Sequence, residues 1–208
     1  MTRVKGAHRH YEEACRIYRL EDDWCTPPVY LPHIYHTLQH IDLDPASTEK
    51  ANNEFIQAER IFTKEDDALN QQTPWKGNIY CFPPTYGRCS FSKARQTWRW
   101  SLRGGGIGSL SPAKAWFNRI EKDWKLGYIN SALFYTTTVE IMRTTPSMWN
   151  YPMCIPKTRP SLVHGRKFFL YENFPKWGFF VYFPPRQVGF NHLDRFKEAF
   201  TPLGNVVM

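Results

Sequence analysis

The chain is poor in several things that would have assigned it quickly. Its five cysteines, Cys15, Cys25, Cys81, Cys89 and Cys154, are odd in number and form no C-x-x-C pair. That usage excludes a disulfide framework and a zinc module, and it fits a reducing compartment. No run of about 18 apolar residues is present, so no membrane-spanning helix is expected. The opening residues lack the apolar core of a secretory signal. Internal repeats, coiled-coil heptads and a Walker-type loop are also lacking. Gly104-Gly105-Gly106-Ile107-Gly108-Ser109 has the glycines of a phosphate cradle. It lacks both the required spacing and a preceding strand, and reads as a linker. Acidic residues are the minority, 19 against 27 Lys and Arg, for a net charge of +8. That balance suits a polyanionic partner such as nucleic acid.

Aromatic side chains, by contrast, are abundant: 16% of 208 residues, including 8 Trp, a composition that excludes a disordered chain and supports a substantial core. Residues 1–21 read as a polar basic arm and 22–208 as one domain. His8, His10 and Cys15 could suggest a metal site, but no second ligand pair follows at zinc spacing, so a solvated arm is the simpler reading.

Along the chain, Val29 to Leu38 has helical spacing behind Pro27 and Pro28. Ile41-Asp42-Leu43-Asp44 alternates like a short strand, and Thr48 can cap a helix running through Ile56. Ile79 to Phe82 is an apolar run that stops at Pro83-Pro84, which cannot donate to a sheet ladder. A strand ending there exposes its carboxyl edge, where open α/β sheets place ligands. Lys93, Arg95, Trp98, Arg99, Trp100 and Arg103 read as a basic, aromatic helix, equally able to track a phosphate backbone or to form an amphipathic face. Ser111-Pro112 opens a helix with Trp116, Ile120 and Trp124 on one side. Ser131 to Tyr135 is a second buried strand, and a helix is expected to carry Val139 to Trp149. Lys167 to Tyr171 and Gly178 to Phe183 read as a hairpin, with a closing helix from Leu193 to Phe200. Strands alternating with helices predict an α/β three-layer sandwich with one or more antiparallel edge strands.

The order of short motifs carries a resemblance. Asp23-Trp24 with Thr26-Pro27 comes first, followed by Ile41-Asp42-Leu43-Asp44-Pro45-Ala46-Ser47 and Ala51-Asn52. Next come Phe62-Thr63 with Asp66-Asp67 and Leu69, then Trp75 and Gly77, leading into Cys81-Phe82-Pro83-Pro84-Thr85-Tyr86. Ser131 to Tyr135, Tyr151-Pro152-Met153-Cys154, Gly165-Arg166-Lys167-Phe168-Phe169, Val181-Tyr182-Phe183 and Arg195-Phe196 continue the series. In this order, from about residue 22 to the end, the chain resembles phage-type (Dam-like) DNA N6-adenine methyltransferases.

The resemblance implies a Rossmann-like methyltransferase sandwich, S-adenosyl-L-methionine as cofactor, and methyl transfer to adenine N6 in DNA, the base being flipped out of the duplex. It implies catalytic positions at Phe82, Pro83, Pro84 and Tyr86. Cofactor contacts are implied at Thr26, Pro27, Asp42, Asp44, Pro45 and Ser47. For Asp42 and Asp44 the residues alone leave a second reading open, that they cap the following helix. DNA contact is expected at Lys93, Arg95, Trp98, Arg99 and Arg103. The family's segment reads Asn-Pro-Pro-Tyr, in which an amide oxygen and a proline carbonyl accept the amine hydrogens of the target base. Here Phe82, which has no acceptor, stands in the Asn position, and Thr85 delays Tyr86 by one residue. Three readings therefore stay open: the enzyme, a catalytically silent homologue that binds nucleic acid or scaffolds a partner, and transfer to another amine such as cytosine N4. No metal is expected.

Overall fold

Seven strands form the main sheet of the computed structural model, which describes residues 3–5, 24–84, 88–92, 97–101, 111–164, 170–172, 177–186 and 191–208. In chain order they are β1 (Leu43–Asp44), β2 (Arg60–Ile61), β3 (Gly77–Cys81), β4 (Ile129–Thr136), β5 (Met153–Pro156), β6 (Phe179–Phe183) and β7 (Gly204–Val207). Across the sheet the order is β7-β5-β6-β4-β3-β1-β2. β2, β1, β3 and β4 are mutually parallel, while β6 runs against both β4 and β5, and β7 runs against β5.

Strand alternation sorts the side chains into two cores. Tyr80, Leu133, Tyr135, Phe180 and Tyr182 face one side, and Ile79, Ala132, Phe134, Val181 and Phe183 the other. The first side is covered by helices α1 (Leu31–Leu38) and α3 (His192–Phe200), the second by α2 (Pro112–Lys125). Helices thus lie on both faces of a mixed sheet, which is the α/β layering expected from the sequence.

Local chemistry explains the helix limits. Ser111 Oγ accepts from the Lys114 amide at 3.3 Å and Pro112 occupies the first turn of α2. Ala113, Trp116, Phe117 and Ile120 then fall on its buried stripe. α1 ends where Gln39 turns to φ 69°. α3 stacks Phe196 on Tyr182 at 5.0 Å. It is tied to α1 by the His33 ring, which donates to the Ala199 carbonyl at 2.6 Å.

Four sequence readings are corrected. The basic aromatic stretch is a hairpin of strands Arg88–Ser92 and Thr97–Ser101, not a helix. Thr97-Trp98-Arg99-Trp100-Ser101 alternates with period two, and that pattern outweighs the helical spacing. Leu170–Glu172 does not pair with β6. It belongs to a separate four-stranded sheet with Leu162–His164, Trp24–Cys25 and Arg3–Lys5, so part of the N-terminal arm is strand as well. β6 is buried at all five residues and lies inside the main sheet between β4 and β5, a place only a strand flanked on both sides can take. The antiparallel edge strand is β7. The helix expected from Thr48 to Ile56 keeps its cap, Thr48 Oγ1 accepting from the Ala51 amide at 3.1 Å. After one turn it widens into a π-turn over Asn52–Ile56, where the Asn52 amide grips both the N–H and the carbonyl of Ala58. Val139 to Trp149 likewise forms two short turns, Ile141–Thr144 and Pro146–Asn150, because Pro146 cannot continue a helix.

Candidate functional site

Chain direction singles out one corner of this sheet. From β1 the chain moves outward to β2, then returns past β1 to form β3 on its other side. The strand order therefore reverses between β1 and β3, and crevices at the carboxyl ends of strands at such a reversal are where open α/β sheets bind ligands. The residues that follow these two strands are Asp44-Pro45-Ala46-Ser47 and Phe82-Pro83-Pro84.

Asp44 closes β1 and is 3% exposed. Its Oδ1 accepts from the Ala46 amide at 3.0 Å, an Asx turn that bends the chain away from the sheet. The turn is clamped to the neighbouring strand: the Phe62 amide donates to the Asp44 carbonyl and the Ser47 amide to the Phe62 carbonyl, each at 3.0 Å. Burial pushes the Asp44 carboxyl up to about 7, opposed by hydrogen bonds from the Ala46 amide and the Ser47 hydroxyl. A buried carboxylate of that kind at a strand's carboxyl end is a ligand-site feature with a physical basis.

Beside it, Thr26 Oγ1 and the Tyr80 hydroxyl are hydrogen-bonded at 2.6 Å in the interior. The Tyr80 phenol is held well above its usual range, by burial first and then by the Asp44 charge. Thr26, Asp44, Pro45 and Ser47 are all buried, and Pro27 anchors the turn into α1 by accepting from the Tyr30 amide at 2.9 Å.

Phe82 points into the core. It is 7% exposed, and its ring lies 4.8 Å from that of Tyr135. Tyr135 in turn stacks on Phe180 at 4.5 Å, with Tyr30 set edge-on to both. Pro83 is buried behind it and Pro84 is half-buried. Tyr86 lies outside the described residues.

Asp42 is not brought to this corner. It precedes β1 at the amino ends of the strands, where its Oδ2 accepts from the Asn78 amide at 2.5 Å and lies 3.2 Å from His40 Nε2. Gly77, at φ +85°, comes so close that an added Cβ would stand 2.3 Å from Asp42 Oδ2. The Trp75-x-Gly77 motif thus serves packing around Asp42, and the carboxylate is a strand tie on the amino side of the two-residue strand that Asp44 closes. Of the expected DNA-contact residues, Trp98 and Arg99 lie on the Thr97–Ser101 strand, while Lys93, Arg95 and Arg103 fall outside the described residues.

Two features went unread in the sequence. The Thr26–Tyr80 pair is one; a tyrosine in an otherwise apolar strand was its only signal. The other is a polar cleft of about 140 Å³ at the amino ends of the strands, lined by His40, Asn78, Asn130, Ser131, His192 and Arg195 among others. It is assembled from four segments distant in the chain, which no local pattern announces.

Among the described residues no group of three or more His, Cys, Asp and Glu side chains could hold a metal ion, and no helix is long and apolar enough to cross a membrane. Cys25, Cys81 and Cys154 are all buried, and Cys81 and Cys154 are free thiols. No protein family, curated protein or solved structure with which the chain was compared matches it.

Proposed function

We propose that this chain is an S-adenosyl-L-methionine-dependent DNA methyltransferase acting on the N6 amine of adenine, with its reaction centre at the corner between β1 and β3. One observation carries the reading. The Asp44-Pro45-Ala46-Ser47 and Phe82-Pro83-Pro84 segments, which the sequence resemblance nominates for cofactor and target base, follow two adjacent parallel strands at the reversal of strand order.

The residues there suit a nucleoside-bearing cofactor. Asp44 has an Oδ2 beyond the Asx-turn bond and can accept from a sugar hydroxyl. Ser47 adds a hydroxyl, and Thr26, Pro27 and Pro45 form the adjoining wall. When bound, the cofactor supplies an electrophilic methyl group. This chain's own contribution is positioning: the Pro83 carbonyl, which has no sheet pairing among the described residues, is able to accept an amine hydrogen, and the buried aromatic cluster under the corner keeps water out. The net positive charge is suited to a nucleic-acid backbone.

A second reading rests on Phe82. Its ring fills the place an amide acceptor would take and is locked against Tyr135. A chain that binds cofactor and DNA but transfers nothing, or that scaffolds an active partner, fits this packing.

Calorimetric titration with S-adenosyl-L-methionine tests the shared premise, and no binding at millimolar concentration sinks both enzyme and cofactor-binding readings. Label transfer to adenine-rich DNA then separates them. A silent wild type beside an active Phe82→Asn variant identifies the second. Transfer to cytosine rather than adenine overturns the choice of acceptor.

A further inference from the structure

Thr137 stands immediately past the carboxyl end of β4, the central strand of the sheet. It is 2% exposed, and its Oγ1 has no hydrogen-bond partner among the described residues. A buried hydroxyl without a partner is costly, and native structures keep few without a reason.

Its position supplies a reason. In the parallel β3–β4 ladder Cys81 pairs with Phe134 and the Phe82 ring meets that of Tyr135 at 4.8 Å, so Pro83-Pro84 and Thr137 leave the carboxyl ends of adjacent strands. On the other flank Phe179 pairs with Thr136, which sets Gly178, with no side chain, beside Thr137. Phe82 packs on the side of Leu133 and Tyr135, and Thr137 follows two residues after Tyr135 at the bend that ends β4. The neighbouring hydroxyl differs: Thr136 Oγ1 already accepts from the Thr138 amide at 3.1 Å. Thr137 is therefore a spare acceptor one step beyond Phe82, at the corner whose usual acceptor the sequence has replaced by a ring.

We propose that the Thr137 hydroxyl is a base-binding group, accepting a hydrogen from the exocyclic amine of an adenine seated against Pro83-Pro84. This rests on the base-binding reading above and adds to it the residue that takes over the acceptor role Phe82 cannot perform. The consequence is a preference for an aminopurine over a purine without the amine, set by one hydroxyl.

The test uses the full chain and single-stranded oligonucleotides carrying one adenine or, at the same place, one unsubstituted purine, with affinity read by fluorescence anisotropy. Wild type should prefer adenine by about 3- to 10-fold, the worth of one net hydrogen bond. Thr137→Val, which keeps the shape and removes the hydroxyl, should lose that preference, and Thr137→Ser should retain it. Thr145→Val is the control, because Thr145 also has a buried, unpartnered hydroxyl but does not stand at the corner; its preference should match wild type. Equal affinities in wild type, or a preference undiminished in Thr137→Val, overturn the proposal. Calorimetric binding of S-adenosyl-L-methionine, measured on the same samples, separates the outcomes. A chain that binds the cofactor without favouring adenine refutes the role of Thr137 alone, and one that binds neither cofactor nor oligonucleotide refutes the function as well.

Discussion

Phe82 rests its ring on Tyr135 at 4.8 Å, at the carboxyl end of β3. The contact gives the residue a structural role. Phe82→Asn removes a buried ring and places an amide beside Tyr135. It should lower the unfolding free energy by about 3 kcal/mol. Phe82→Leu, which keeps an apolar filler, should cost about 1 kcal/mol. Urea denaturation read by tryptophan fluorescence compares the two, and equal stability of wild type and Phe82→Asn contradicts the packing described.

Gly77 and Asp42 form a second pair in which backbone and side chain constrain each other. At φ +85°, with Asp42 Oδ2 2.3 Å from where a Cβ would sit, Gly77→Ala meets both a torsional and a steric penalty. A loss of about 2–3 kcal/mol is expected. Combining it with Asp42→Ala should relieve the clash and leave the torsional cost of about 1 kcal/mol. A double-mutant cycle showing strict additivity would exclude the coupling.

What the sequence showed, and what it hid, follows from how local each signal is. The apolar run Ile79 to Phe82, its stop at Pro83-Pro84, and the capped helix from Ser111 were legible because each depends on neighbours in the chain. So was the placement of Asp44 at a strand end. Asp42, two residues away, carries the same chemistry in sequence, yet its position is set by Gly77 and Asn78, far along the chain. The hairpin Arg88–Ser92 with Thr97–Ser101 was misread because its basic and aromatic residues satisfy helical and alternating spacing at once, and only pairing decides between them. β6 was taken for half of an edge hairpin because a strand's partners are not written in its own residues. Thr137 was invisible for the opposite reason: three threonines in a row look alike until the fold separates their surroundings.

Arg119 holds the loop before β3 against α2. It donates to the Asp123 carboxylate at 2.7 Å and to the carbonyls of Gln71 and Thr73 at 2.9 and 2.8 Å, and it lies over the Trp75 ring at 5.0 Å. Asp123 is 3% exposed and also accepts from the Trp75 amide at 3.0 Å. Arg119→Ala leaves that carboxylate buried with a single donor and should cost about 3 kcal/mol. Arg119→Lys restores the charge without the planar fork and should recover less than half of the loss. Chemical denaturation gives both values, and a Lys variant as stable as wild type refutes the role assigned to the guanidinium geometry.

Asp44 makes a pH prediction whose sign follows from its burial. Its carboxyl is held up at about 7 in the folded chain, against an ordinary value of 3.8. Between those values the folded chain keeps a proton that the unfolded chain releases. The stability this group contributes is therefore complete below about pH 4, declines as pH rises through the window, and levels off above about pH 7. Asp44→Asn cannot ionise, and its amide oxygen can still accept from the Ala46 amide. It should match wild type near pH 4 and exceed it at pH 8 by up to about 4 kcal/mol. Cofactor binding should run the other way. If Asp44 accepts from a sugar hydroxyl, its ionised form is the better acceptor, so affinity for S-adenosyl-L-methionine should rise as pH passes through 7 and that rise should vanish in Asp44→Asn. Denaturation profiles of both proteins from pH 4 to 8 check the first part and calorimetry over the same range the second. A wild-type stability that climbs with pH through this window, where Asp44→Asn stays flat, shows that the carboxyl is not held protonated by its burial.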